Sequence, residues 1–139
     1  MSEQAWERLT SALVDTGVFI AWFHGDHAAQ QFFRDPERRL YYAKVTRKEL
    51  LRKPIRKAEA DQIKAFLSRF RRINPDEQIA ARFSELLRKH PYLQTHPADA
   101  LIAATAWEKN LPLLTVNLRH FAPIGEIAAI RFIPSSPNR

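Results

Sequence analysis

A chain of 139 residues can bury one sizeable hydrophobic core and is too short for two independent ones. Its 45% hydrophobic and 27% charged residues are the balance of a globular domain, which excludes extended disorder. The absence of cysteine excludes disulfides, thiolate zinc sites and cysteine nucleophiles, and points to the reducing cytoplasmic compartment. No apolar run reaches the ~18 residues of a transmembrane helix, and Glu3 and Glu7 do not suit a secretory leader. The net charge of +7 is unevenly placed: residues 34–72 hold fourteen Lys or Arg against five Asp or Glu, while the rest is slightly acidic. Such a block suits an anionic partner, because each cation set on a phosphate releases condensed counterions. The plain alternative is a solvated face that keeps the protein soluble.

Residues 1–11 read as a polar extension. The apolar run Ala12-Leu13-Val14 ends in Asp15 and reads as a short buried strand, with a turn at Thr16-Gly17 and a helical segment over 18–23. Asp26 and His27 can cap a second helix that runs to about Arg34. Residues 40–45 are aromatic and β-branched enough for a strand, with Tyr41 and Tyr42 facing opposite sides. Thr46 then opens a short helix with Glu49 three residues on, the spacing of a capping box, and Pro54 ends it. Residues 55–70 form an amphipathic helix, with Ile63, Phe66, Leu67 and Phe70 on one stripe. A short strand at 71–74, a helix over 75–89 and a loop over 90–97 follow. Residues 97–110 form a helix with Pro at its start and Asn at its end. Strands at 111–115 and 130–133 complete a domain over 12–133, and residues 134–139 are a tail. Strands alternating with helices imply an α/β fold, three layers around a mostly parallel sheet. The three glycines supply no phosphate-cradling loop.

In a parallel sheet, ligands bind at the carboxyl ends of the strands. Asp15 ends the first strand, Asn117 follows the strand at 111–115, Asp99 opens the helix before that strand, and Glu49 follows the second strand. Four oxygen-bearing side chains from four remote segments can therefore converge. Each also has a local explanation. Asp15 can cap a helix, Asp99 suits a helix dipole, Glu49 can partner Thr46 or Lys53, and Asn117 can be a turn residue. Asp15 fits its local explanation least well, since a carboxylate buried behind an apolar strand costs several kcal/mol unless paired or metal-bound. Converging carboxylates suit a hard divalent cation such as Mg²⁺ or Mn²⁺ beside a phosphodiester, with Thr16 and Thr115 orienting them. None of the five histidines shows a zinc spacing. His27 reads as a packing or capping residue.

These motifs carry a family resemblance. LVDTGVFIAWFHGDHAAQQFF (residues 13–33), VTRKELLRK (residues 45–53) and PADALIAATAWEKNLPLLTVNLRHF (residues 97–121) resemble the three motif regions of PIN-domain nucleases, and in size and detail those of VapC-type toxins. The resemblance implies a Mg²⁺- or Mn²⁺-dependent endoribonuclease that forms a homodimer and is restrained by a small VapB-type antitoxin. It makes Asp15, Glu49 and Asp99 the acidic metal and catalytic residues. Asn117 stands where many members carry a fourth acid, which leaves that corner less negative. Arg47, Lys48, Arg52 and Lys53, around Glu49, are expected to hold RNA phosphates without reading sequence. Two other readings remain open on sequence alone: a stand-alone RNA-processing nuclease without an antitoxin, and an RNA-binding module with a defective site.

Overall fold

The computed structural model describes residues 4–52 and 55–135. Five short strands, β1 (Ser11–Val14), β2 (Arg39–Ala43), β3 (Arg71–Ile73), β4 (Leu113–Thr115) and β5 (Ala129–Arg131), form one sheet in the order β3-β2-β1-β4-β5. Every pairing is parallel, with Leu13 beside both Tyr41 and Leu113. The chain winds outward from β1 through β2 to β3, then crosses to the other side of β1 for β4 and β5. The direction of winding reverses between β1 and β4, where an open parallel sheet leaves a crevice at its carboxyl edge.

Both faces of the sheet are covered. Ala12, Val14, Leu40, Tyr42 and Leu114 point to one face, and Leu13, Ala43 and Leu113 to the other, as the strand period of two requires. The first face packs on α1 (Thr16–Phe23), α2 (His27–Arg34) and α4 (Lys57–Leu67) through an aromatic cluster. In it, Phe19 stacks on Phe33 at 5.1 Å and Trp22 on Phe66 at 4.4 Å. The second face packs on α5 (Glu77–Lys89), α6 (Pro97–Lys109) and α7 (Leu118–Phe121) through leucine, isoleucine and alanine. The helix α3 (Lys44–Leu51) lies across the carboxyl edge, with Val45 against one core and Leu50 against the other.

The three-layer α/β/α architecture is the one expected from the sequence. Tyr42 is buried on the first face and Tyr41 packs on the second. Three local features differ from expectation. The helix α3 starts at Lys44 with Ala43 as its cap, so Thr46 lies inside it and makes no capping box with Glu49. Its hydroxyl turns to Thr16 instead, 3.1 Å away. The helix α7 was not visible in the sequence, because four residues are too few to show a period. Residues Ala5–Arg8 form a 3₁₀ turn that buries Trp6 against Phe32 and Phe132, with ring centroids 5.9 and 5.1 Å apart. A lone aromatic among polar residues gives no periodic signal of that burial.

Candidate active site

The site begins with the end of β1. Val14 is wholly buried, and the chain leaves the sheet at Asp15, whose extended backbone caps α1. Its side chain is 5% exposed. One oxygen, Oδ1, accepts the Thr16 backbone N–H at 2.8 Å, and the other, Oδ2, accepts the Thr115 hydroxyl at 2.7 Å. The second bond spans the crevice between β1 and β4. The close approach of α1 to β4 depends on Gly17, where a Cβ would collide with the Val116 side chain. Thr115 Oγ1 in turn accepts the Asn117 backbone N–H at 2.9 Å, which fixes the path of the chain after β4.

Thr16 joins two acids. Its N–H serves Asp15, and its hydroxyl donates to Glu49 Oε1 at 2.6 Å. Placing α3 across the sheet edge is what brings Glu49 there, through a fully buried Thr46. Asp99 enters from the first turn of α6, where the helix dipole favours an acid. Its Oδ2 lies 2.9 Å from His120 Nδ1. The His120 carbonyl accepts the Tyr92 hydroxyl at 2.6 Å, and the His120 ring stacks on His96 at 5.4 Å.

Burial pushes the Asp15 carboxyl from 3.8 up to about 6, against the pull of its bonds to Thr115 and Thr16. The charges of Asp99 and Glu49 push the same way. Asp15 thus lies in the field of both other acids. Among the described residues no Lys or Arg is ion-paired with any of them. Burial, and then the charge of Asp99, also raise the Tyr92 phenol. Negative charge is concentrated here, and among the described residues no Lys or Arg pairs with it.

Of the sequence-expected residues, Asp15, Glu49 and Asp99 meet at this edge, with Thr16 and Thr115 as hydrogen-bond donors to the acids. The exposed Asn117 enters through its backbone; no hydrogen bond joins its side chain to the acids among the described residues. Arg47 is half-buried and Lys48 exposed on α3, the helix that carries Glu49, the exposed Arg52 caps its end, and Lys53 lies outside the described residues. His27 is exposed beside the capping Asp26, whose carboxylate accepts the Ala29 N–H at 3.0 Å. Sequence reasoning passed over His120, which stands three residues beyond Asn117. No metal spacing marks it, because its partner Asp99 is on another helix.

A divalent cation is tested by the donor set. The set is all oxygen, three carboxylates with two hydroxyls behind them, which suits a hard divalent cation. No group of three or more His, Cys, Asp or Glu among the described residues is drawn together closely enough to hold an ion alone.

The PIN-domain family model matches residues 12–126, most of the chain and all three acids. The chain belongs to the PIN-domain family. The resemblance read from residues 13–33, 45–53 and 97–121 is borne out. Among curated relatives, Ribonuclease VapC10 of Mycobacterium tuberculosis is 34% identical over 115 residues, 78% of this chain and 84% of the relative. A toxin–antitoxin complex from Klebsiella pneumoniae contains a chain with TM-score 0.70 and 28% identity, over 84% of this chain and 95% of that one. VapBC2 from Rickettsia felis, solved bound to a promoter DNA fragment, has TM-score 0.74 over 88% of this chain and 99% of its own. At 16% identity it speaks for the fold alone. This PIN domain is VapC-like and a nuclease.

Proposed function

We propose that this PIN domain is a metal-dependent endoribonuclease of the VapC type, the toxin of a toxin–antitoxin pair, that hydrolyses RNA at the carboxyl edge of its sheet. One observation carries the reading: a buried carboxylate, Asp15, lies in the field of Glu49 and Asp99, and among the described residues no Lys or Arg pairs with any of the three. The relative's ribonuclease activity and the neighbour's toxin–antitoxin assembly supply the substrate class and the partner.

Asp15 and Asp99 would hold a Mg²⁺ or Mn²⁺ ion directly, with Glu49 and Asn117 at its rim. Bound there, the ion supplies a Lewis acid for phosphoryl oxygens and makes water a competent nucleophile at neutral pH. The protein's part is orientation and proton handling. Thr16 and Thr115 fix the Asp15 carboxylate from both oxygens, and Thr16 also fixes Glu49. Glu49, the less enclosed of the two, is placed to take a proton from water. His120 fixes Asp99. Arg47, Lys48 and Arg52, with Lys53 beyond them, hold the phosphates flanking the cut.

The reading includes a VapB-type antitoxin, a homodimer and a cytoplasmic location. Its test is cleavage of an RNA substrate by purified protein with Mg²⁺ or Mn²⁺, and the loss of cleavage on chelation. Full turnover in excess chelator would overturn the mechanism. Co-purification with the product of a short adjacent reading frame tests the partner.

A further inference from the structure

The basic block of residues 34–72 does not all sit beside the acids. In a parallel sheet the helices feed into the strands at the amino edge. Arg34 ends α2, Arg39 opens β2, Arg69 follows α4 and Arg71 opens β3, so all four gather at the edge opposite the carboxylates. They line a cleft of about 310 Å³ together with Asp35 and Arg38. The acid in it is already engaged: Asp35 is 3.4 Å from Arg38 Nε. Arg38 is committed to structure, donating to the Trp6 carbonyl at 3.0 Å and lying 4.6 Å over the Phe32 ring. Arg69 is braced over the rings of Phe66 and Phe70, at 5.0 and 5.6 Å. Arg34, Arg39 and Arg71 are exposed, and among the described residues no acid pairs with them.

We propose that this arginine cleft at the amino edge of the sheet is a second phosphate-binding site, which holds the backbone of an RNA whose scissile bond lies at the carboxyl edge. The proposal rests on the ribonuclease reading and adds a footprint to it. The two sites are separated by the length of β2, about 16 Å at ~3.3 Å per residue. A folded RNA resting on the acids is large enough to reach the cleft. Four guanidiniums with no acid paired to them among the described residues, one of them braced on aromatic rings, suit phosphate oxygens, which take paired N–H donors in a fork. An acidic protein segment is the less apt occupant. Stable protein docking uses exposed apolar anchors, and the exposed large apolar side chains among the described residues, Ile20, Tyr92 and Ile133, are not in the cleft.

The test separates binding from cleavage. Arg34→Gln, Arg39→Gln and Arg71→Gln are combined in one variant, sparing the packed Arg38 and Arg69, and compared with Lys64→Gln plus Arg88→Gln, exposed cations outside the cleft. Binding of a bulk transfer-RNA preparation is measured by fluorescence anisotropy across a salt series, in an Asp99→Asn background without metal. The cleft variant is expected to bind transfer RNA about tenfold or more weakly, with a salt slope lower by about one per arginine removed. The control pair leaves binding nearly unchanged. A control pair as damaging per charge as the cleft variant, or no loss at all, would each overturn the proposal. So would cleft-dependent binding of an oligo-glutamate peptide with transfer RNA unaffected. Because the binding measurement needs no turnover, a failed ribonuclease reading shows separately, as absent metal-dependent cleavage by the unmodified protein.

Discussion

The two edges of the sheet carry opposite charge and are built in opposite ways. At the carboxyl edge, three acids lie together with no Lys or Arg paired to them among the described residues, each held by hydrogen bonds from a different element, and the innermost is almost wholly buried. At the amino edge, five arginines line an open cleft, and Asp35, the one acid among the described residues lining it, is already paired. The first arrangement is tightly oriented and electrostatically unfavourable until an ion arrives. The second is loosely held and solvated. Chemistry needs the former, since a displaced carboxylate loses the reaction; capture of a polyanion needs only the latter. One linear run of positive charge was divided by the fold, with Arg47, Lys48 and Arg52 on the acids' side and Arg34, Arg39 and Arg71 on the other.

The largest expected effect breaks the acidic edge itself. Asp99→Asn or Asp15→Asn should lower RNA cleavage by at least about 10³-fold while RNA binding persists. Single-turnover assays beside a binding isotherm measure this, and near-normal cleavage in either variant would remove the acids from the mechanism. A smaller loss should follow when orientation alone is disturbed. Thr115→Val takes the hydroxyl from Asp15 at nearly constant volume and should cost roughly 10–100-fold in metal affinity or rate, read by Mn²⁺ titration. His120→Ala should behave alike, with His120→Asn restoring part of the loss by returning an N–H donor near the Nδ1 position.

Charge reversal beside the acids sharpens the contrast between precise and diffuse electrostatics. Arg47→Glu with Arg52→Glu should weaken RNA binding about tenfold or more and flatten its salt dependence. An unchanged salt slope would take these arginines off the RNA path.

The acidic edge should also be visible in stability. The Asp15 carboxyl titrates near 3.8 when unfolded and at about 6 when folded, so the folded state binds the proton more tightly. Its contribution favours the fold below about pH 4, is lost as pH rises through 6, and leaves a penalty of order 1–3 kcal/mol at neutral pH in metal-free protein. Asp15→Asn should therefore raise the melting temperature by several degrees at pH 7.5 and leave it little changed at pH 4. Thermal melts at the two pH values check the sign. Metal binding to the unmodified protein should strengthen as pH rises through about 6. The smallest effect is expected at exposed His27: His27→Ala should move stability by less than about 0.5 kcal/mol and leave cleavage unaltered. A large loss of rate there would extend the site beyond the crevice.

Much of the fold could be read from local pattern. The run ending at Asp15, the Pro97 and Asn110 boundaries of α6 and the alternation of strands with helices each reflect neighbours a few residues apart. The features missed were those with too little sequence to show a period, α7 and the buried Trp6, and the cap of α3, where Thr46 serves a distant hydroxyl. Within the site, the three acids stood out because each ends or opens an element at the carboxyl edge. His120 did not, because its importance comes from α6 and α7 meeting.

The sequence by itself determined which residues could do the chemistry. Acids sit beside strand ends, no cysteine or glycine-rich loop competes with them, and the motif order is that of a PIN domain. Such patterns are local, and local rules of burial and periodicity carry them. Only the tertiary structure decided which of those residues share a field and which do not. The Asp15–Thr115 bond joins residues a hundred positions apart, the Thr16–Glu49 bond crosses thirty-three, and a single basic block ends on two opposite edges. Those outcomes depend on the reversal of winding between β1 and β4, and on helices returning the chain to the amino edge before every strand. Neither is encoded within any one segment.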